Sequence, residues 1–238
     1  FGAWIAYRFG WEGAFWAVAA LAALGALVMA FAVPRDVSFQ PTGIGAILRM
    51  LGNARVMFAT AFTASFVASL YFVFMFLGPL IEASVGLDPE TRTGFLILYG
   101  CGAVIGNVAG GVLTDKIGGR NTLKIICAAN IVLMPFFSLI PLGWLPFAAL
   151  VALWSSFSWS FMAPQQARLV QVAPDAISLV LALNAAMIYV GITIGSALSA
   201  QVLGAFGLRA LGIAGGLAAI LAFGHLLASA RPSRRRGH

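Results

Sequence analysis

The residues best equipped for chemistry in this chain stand in one short run, Gly111-Val112-Leu113-Thr114-Asp115-Lys116-Ile117-Gly118-Gly119-Arg120. Asp115 can meet the positive end of a neighbouring helix or a basic side chain, and Lys116 and Arg120 can bridge to carboxylates or backbone carbonyls. Such groups latch two surfaces in one conformation and release them in another. The plainer role is anchoring, because Lys and Arg at the end of an apolar run fix the side of a membrane on which that end stays. Gly111, Asp115, Lys116, Gly118 and Arg120 are the candidate gating-loop residues.

A second set lies inside apolar runs. One run carries Trp154, Ser155, Ser156, Ser158, Trp159 and Ser160; another carries Thr60, Thr63, Ser65, Ser69 and Tyr71. Polar groups at membrane depth face protein or a water-filled cavity. Tyr71, Tyr99, Asn107, Trp154, Trp159, Asn184 and Tyr189 are therefore candidates for the lining of a substrate cavity. Ordinary interhelical hydrogen bonding would account for any one of them singly; as a set they make an aromatic and amide wall.

No Asp, Glu, Lys or Arg falls in the middle of an apolar run, where a charge costs ~2.5 to 3.5 kcal/mol on insertion scales. The carboxylate that usually couples transport to protons is missing from these runs, so it is expected in a segment preceding Phe1. Histidine can exchange a proton at ordinary pH, but His225 sits near the end of an otherwise apolar run. Cys101 and Cys127 also lie in apolar runs and have no metal-ligand spacing, so both read as packing residues and no metal or cofactor is expected. No His cluster, acid pair or Ser-His-Asp set occurs at depth, which argues against an enzyme.

The elements that position these residues follow from composition. Hydrophobic residues make up 61% of the chain and charged ones 9%, with a mean hydropathy of +0.99, whereas globular domains carry roughly 25% charged residues. Charge-free runs such as 14–33 and 56–81 exceed the ~20 residues that cross a bilayer. The fold class is an all-α integral membrane bundle of about seven transmembrane helices. Spans are expected near 11–33, 55–80, 94–113, 123–140, 145–163, 176–203 and 208–230. An acidic loop is placed at 82–92, and Arg168 and Asp175 fall in a loop after the fifth span. Between 34 and 54, Ile44, Ile47, Leu48 and Leu51 repeat at helical spacing beside Arg49, which reads as a short helix lying on the bilayer surface.

The net charge of +7 does not mark a nucleic-acid protein, because the basic residues are not gathered on one face among aromatics. They alternate with the spans. Arg35, Arg49, Arg55, Lys116, Arg120, Lys124, Arg168, Arg231, Arg234, Arg235 and Arg236 fall on one side, and Arg8, Arg92 and Arg209 on the other. Eleven against three places the C-terminus and the Asp115 turn in the cytoplasm.

Gly102, Gly106 and Gly110 lie four apart, as do Gly191, Gly195 and Ser199. Such stripes let helix backbones approach closely in lipid. The abrupt opening Phe1-Gly2-Ala3-Trp4-Ile5-Ala6-Tyr7 reads as the end of a helix already in progress, so the chain is expected to be a fragment whose stripes lack partners and drive self-association. The first and seventh spans, almost purely Ala, Leu, Gly and aromatic, suit a lipid-facing position.

The run 111–120 resembles the loop signature of the major facilitator superfamily, Gly-x-Leu-Ala-Asp-Arg/Lys-x-Gly-Arg/Lys-Arg/Lys, with Thr114 for Ala and Gly119 for the first terminal basic residue. In that family the signature is strongest between helices two and three and recurs, weakened, between eight and nine. Four spans follow it here, as they would follow the second copy. Gly10-Trp11-Glu12-Gly13-Ala14-Phe15 resembles the Gly-Trp-Arg-x-x-Phe start of the sixth helix in the drug-efflux and sugar-efflux branch. Phe76-Leu77-Gly78-Pro79-Leu80 resembles the end of the seventh, and Ala173-Pro174-Asp175-Ala176 through Asn184, Gly191 and Gly195 resembles the eleventh.

The resemblance implies that residues 1–33 are the end of helix five and helix six, 34–54 a cytoplasmic linker, 55–230 the C-terminal six-helix half and 231–238 a basic cytoplasmic tail. It further implies proton-coupled efflux of small organic compounds by alternating access in a bacterial inner membrane, with the N-terminal half of the same chain as partner. A passive channel or a structural membrane subunit is the alternative. A retinal protein is disfavoured, since the only lysines are Lys116 and Lys124 at one turn.

Overall fold

The structure is a computed structural model that describes residues 2–32, 43–86 and 88–229. Pro34-Arg35-Asp36, the rest of the linker before Gly43 and the basic tail after Ser229 lie outside the described residues. Every described element is a helix: α1 Gly2–Ala32, α2 Ile44–Leu51, α3 Ala54–Phe74, α4 Leu77–Val85, α5 Pro89–Ile117, α6 Gly119–Leu133, α7 Trp144–Trp159, α8 Met162–Val172, α9 Ile177–Phe206 and α10 Ala210–Ala228. Short 3-10 turns cover Met134–Leu139 and Pro174–Ala176. Seven stretches are long and apolar enough to cross a membrane: Arg8–Ala32, Ala54–Val85, Pro89–Ile117, Gly119–Leu139, Trp144–Val172, Pro174–Phe206 and Ala210–Ala228.

The chain divides into two units, Phe1–Gly43 and Ile44–His238. In the first, α1 is interrupted at Gly10, whose φ of 78° and ψ of 166° are not helical. A residue without Cβ takes that conformation at little cost, so Gly10 closes one helix and Trp11 opens the next.

In the second unit the span ends are set by local chemistry. The Asn53 side chain accepts from the backbone N–H groups of Arg55 and Val56 and caps α3. Asp88 caps α5, accepting from Thr91 N–H at 2.9 Å, with Pro89 in the first turn. That backbone hydrogen bond, with the Thr91 hydroxyl second, holds the Asp88 carboxyl below its ordinary value. The capping contribution is therefore present above the unfolded carboxylate range and lost as pH falls through the folded value. The acidic loop expected at 82–92 shrinks accordingly: Glu82 lies in α4, and Glu90 and Arg92 lie in α5.

α2 forms as expected. Ile44, Ile47, Leu48 and Leu51 are exposed while Met50 is buried, which suits a helix that presents its apolar face to lipid.

The two stripes have partners within the unit, contrary to the expectation of bare faces. On α5, a Cβ at Gly102 would collide with Ser155 of α7, one at Gly106 with the Ser156 carbonyl and one at Gly110 with the Ser160 carbonyl. On α9, a Cβ at Gly191 would lie 2.6 Å from the Ala64 carbonyl and one at Gly195 2.5 Å from that of Ala68, both on α3. Small residues let these pairs close within the C-terminal unit itself, so no outside partner is needed to cover them.

The seventh span is likewise not a simple lipid-facing helix. Gly212 and Gly216 of α10 fit against Met134, Pro135 and Ser138 of the 3-10 turn, and Ser138 Oγ accepts from Ile213 N–H at 2.9 Å. A glycine stripe without polar residues escaped notice in the sequence because its other face is apolar.

The fifth span also differs. It continues past residue 163, turning at Ser160 and Phe161 and resuming as α8, so Arg168 is in a helix and only 8% exposed rather than in a loop. The second span is broken too, at Met75 and Phe76 between α3 and α4.

Candidate functional site

Four of the seven cavity candidates come together. Tyr71 on α3, Tyr99 on α5, and Trp154 and Trp159 on α7 line one cavity of about 130 Å³, closed by Phe74, Phe161, Met162, Ile188 and Ile192 among others. The rings are in mutual contact: Tyr71 to Phe74 at 5.2 Å, Phe74 to Tyr99 at 5.3 Å and Tyr99 to Trp154 at 5.7 Å between centroids. Aromatic pairs at such separations favour tilted and edge-to-face arrangements. Trp159 Nε1–H donates to the Tyr99 hydroxyl oxygen at 2.6 Å, which ties α5 to α7 across the cavity wall. Ser158 also lines the cavity, but its hydroxyl donates to Asn130 Oδ1 at 2.9 Å. No carboxylate, Lys or Arg lines this space.

The other three candidates go elsewhere. Tyr189 is 71% exposed on α9. Asn107 is exposed on α5 and donates back to the Ala103 carbonyl at 3.1 Å. Asn184 is buried but structural: its Oδ1 accepts from the Thr63 hydroxyl.

Asn184 belongs to a polar chain that the sequence did not disclose. Gln165 of α8, wholly buried, donates from Nε2 to the Ala59 carbonyl at 3.1 Å and to Thr63 Oγ1 at 2.9 Å. Its Oε1 accepts from Arg168 Nη1 at 3.2 Å, and Arg168 Nη2 donates to Ser229 Oγ just past α10. The guanidinium carbon lies 5.6 Å above the Phe62 ring. Helices α3, α8, α9 and the end of α10 are thus joined by one network. Arg168 has no carboxylate partner among the described residues, so neutral acceptors and a ring face stabilise its charge. Gln165 and Arg168 were missed because Pro164 and the polar residues after it read as a loop.

His225 links α10 to α3. Its Nδ1 lies 2.8 Å from Ser65 Oγ and its Nε2 2.8 Å from the Phe58 carbonyl. Since a carbonyl can only accept, Nε2 carries the proton. Cys127 is buried and Cys101 exposed, and among the described residues no group of His, Cys, Asp or Glu could hold a metal.

The candidate gating loop is reduced to one residue between helices, Gly118, with φ 81° and ψ 151°. Only a glycine takes that turn without strain. Gly119 is buried, and a Cβ there would stand 2.5 Å from the Pro164 carbonyl. This close approach of α6 to α8 explains why a glycine replaces the basic residue of the signature. Gly111 is half-buried with open space beside it. Asp115, Lys116 and Arg120 are exposed, and no ion pair joins them among the described residues.

The Major Facilitator Superfamily profile matches residues 1–176. The chain is 25% identical over 195 residues to the uncharacterized MFS-type transporter YbcL of Bacillus subtilis (strain 168), covering 82% of this chain and 50% of that protein. It is 25% identical over 232 residues to the inner membrane transport protein YdhP of Escherichia coli (strain K12), covering 96% and 59%. It is 24% identical over 216 residues to a probable sugar efflux transporter of Helicobacter pylori (strain HPAG1), covering 89% and 54%. The chain spans about half the length of these relatives. In fold it is similar to the crystal structure of the transporter FucP in the outward conformation, with a TM-score of 0.64 at 14% identity over 93% of this chain and 55% of that one. With seven membrane spans, the loop signature closing at Gly118 and a profile that covers most of its length, the chain belongs to the major facilitator superfamily.

Proposed function

We propose that this chain is the end of the fifth helix, the sixth helix and the C-terminal half of a secondary active transporter that exports small organic compounds by proton-coupled alternating access. The observation that carries this reading is the convergence of Tyr71, Tyr99, Trp154 and Trp159 on one cavity beside the two broken spans. Discontinuous helices around a midplane site are a recurring build of secondary transporters. The names of the relatives, two of them transport proteins and one a probable sugar efflux transporter, support the same reading. On it, residues 34–54 link the halves, and the wall opposite the cavity and the proton-binding group come from a preceding N-terminal half. The charged residues of the 111–120 run latch against that half.

The test is flux in proteoliposomes carrying the protein expressed from its complete reading frame, with and without an imposed pH gradient. Gradient-dependent efflux is expected, and Asp115→Asn is expected to lower it at equal expression. Flux that ignores the gradient would establish the passive-channel alternative.

Sidedness is proposed from the same asymmetry. At one end of the bundle a groove is lined by residues of α2 and α3 with 172–176 and Leu179, and at the other a groove gathers Ala83, Ile140, Pro141 and 206–209. Most described basic residues lie toward the first, which we assign to the cytoplasm of a bacterial inner membrane. Single cysteines at Asn121 and Glu90, with Cys101 and Cys127 removed, are expected to react with an impermeant maleimide from opposite sides. Both sites are exposed, so a substitution at neither disturbs packing. Labelling of both from outside intact cells would refute the assignment.

A further inference from the structure

The cavity bears on what kind of molecule is moved, an inference that rests on the transport reading above. Its wall is aromatic and aliphatic, with no ionised side chain. Its polar atoms are unevenly spent. The Tyr99 oxygen accepts from Trp159, and no acceptor among the described residues takes the Tyr99 hydroxyl proton. Trp154 is 1% exposed, and its Nε1–H has no partner among the described residues. Buried donors are almost always satisfied, so an orphan of this kind in a cavity wall is open to a bond from a bound molecule. The nearby Ser158 hydroxyl turns to Asn130, to which it donates, and makes no bond to the indole.

We propose that this cavity binds an uncharged, flat ring system that carries an acceptor oxygen, such as a carbonyl, and that this oxygen takes the Trp154 Nε1–H and Tyr99 O–H as the rings close on the ligand. An anion would find no Lys or Arg in the wall. A cation would find ring faces but also the positive ends of the two free donors, and no carboxylate to offset its desolvation. A ligand rich in donors would find only hydroxyl oxygens to accept from it and would leave the Trp154 N–H unpaired. At about 130 Å³ the space is smaller than the ~300 to 1,000 Å³ of whole ligand sites. It therefore accepts one ring system, and any remainder of the molecule extends beyond this wall.

The test uses tritiated acetylnaphthalene and ethylnaphthalene, which differ in the acceptor and little in shape, with trimethylammonio-naphthalene and naphthoate as charged counterparts. Equilibrium binding is measured to the protein expressed from its complete reading frame in lipid nanodiscs, with empty-nanodisc uptake subtracted. The ketone is expected to bind about tenfold more tightly than the hydrocarbon, the size of one good hydrogen bond, and both more tightly than either ion. In Trp154→Phe, which keeps a ring and removes the N–H, the ratio of ketone to hydrocarbon affinity is expected to fall to about two or less. A wild-type ratio near one, an unchanged ratio in Trp154→Phe, or tighter binding of an ion would overturn the proposal. If Trp154→Phe does not fold, the wild-type ratio and its drop in Tyr99→Phe decide the same question. Gradient-driven flux with no ketone preference sinks the substrate chemistry alone; a ketone preference without gradient-driven flux sinks the transport reading alone.

Discussion

Gly106→Val is expected to destroy the folded C-terminal bundle, lowering stability by at least about 3 kcal/mol. A Cβ at Gly106 would run into the carbonyl, carbonyl carbon and Cα of Ser156. These are backbone atoms of a packed helix, which cannot rotate aside as a flexible side chain would. The same contact positions the Ser160 hydroxyl, which donates to the Gly106 carbonyl at 2.8 Å, so forcing α5 and α7 apart also breaks a buried hydrogen bond. Tyr99 and Trp159, bonded across this pair, would separate with it. Gly111→Ala is the matched control, because nothing lies within 4 Å of a Cβ at Gly111 and alanine favours a helix by ~1 kcal/mol over glycine. Thermal unfolding of the detergent-solubilised protein, followed by the monodisperse fraction, should show a large loss for Gly106→Val and none for Gly111→Ala. Equal midpoints for the two would mean that the α5 and α7 backbones are not in contact.

Gln165→Leu should cost about 3 kcal/mol and most of the transport activity. The amide holds three partners at once, donating to Ala59 and Thr63 and accepting from Arg168, and through Thr63 it fixes Asn184. Leucine has nearly the same size, so the loss is one of hydrogen bonds rather than of volume. It takes a second donor from the Ala59 carbonyl and a donor from Thr63 Oγ1, and it leaves the buried Arg168 guanidinium with one acceptor fewer; an unsatisfied buried group costs ~1 to 3 kcal/mol, more when charged. Lipid offers no replacement partner. Gln165→Glu keeps an acceptor for Arg168 and gives up the two donated bonds, so it should recover part of the stability. The comparison is read from chemical or thermal unfolding of the three proteins in one lipid mixture. A Leu variant as stable as the parent would show that the network contributes nothing.

How much of this was legible beforehand differs by element. The seven spans could be read because apolar runs of membrane length have no competing explanation, and the turn at Gly118 could be read because charge and glycine coincide there. The aromatic half of the candidate site was also visible, since Tyr71, Tyr99, Trp154 and Trp159 are the bulky amphipathic residues of otherwise plain helices. Asn184 was picked out for the right chemistry, burial with a hydrogen bond, but its partner Thr63 draws it toward Gln165 and away from the cavity. Tyr189 and Asn107 share helices with cavity or packing residues yet point elsewhere, because a helical rotation of one position changes the face and a span polar on one side gives no phase of its own. Arg168 was misplaced for a different reason. Hydropathy counts its charge as the end of a span and cannot register that Gln165, Ser229 and the Phe62 ring make a helix interior tolerable for it.

The breaks in the second and fifth spans both adjoin the cavity, beside Phe74 on one and at Phe161 on the other. α4, beyond Met75 and Phe76, reaches one surface; α8, beyond Ser160 and Phe161, reaches the other. Between them the glycine contacts of α5 with α7 and of α9 with α3 hold the cavity walls in fixed register. Each of the two spans therefore carries a short terminal segment with a joint of its own. On the alternating-access reading proposed above, a membrane stays sealed only if one side closes while the other opens, and two interruptions about eighty-five residues apart would let the two segments move separately.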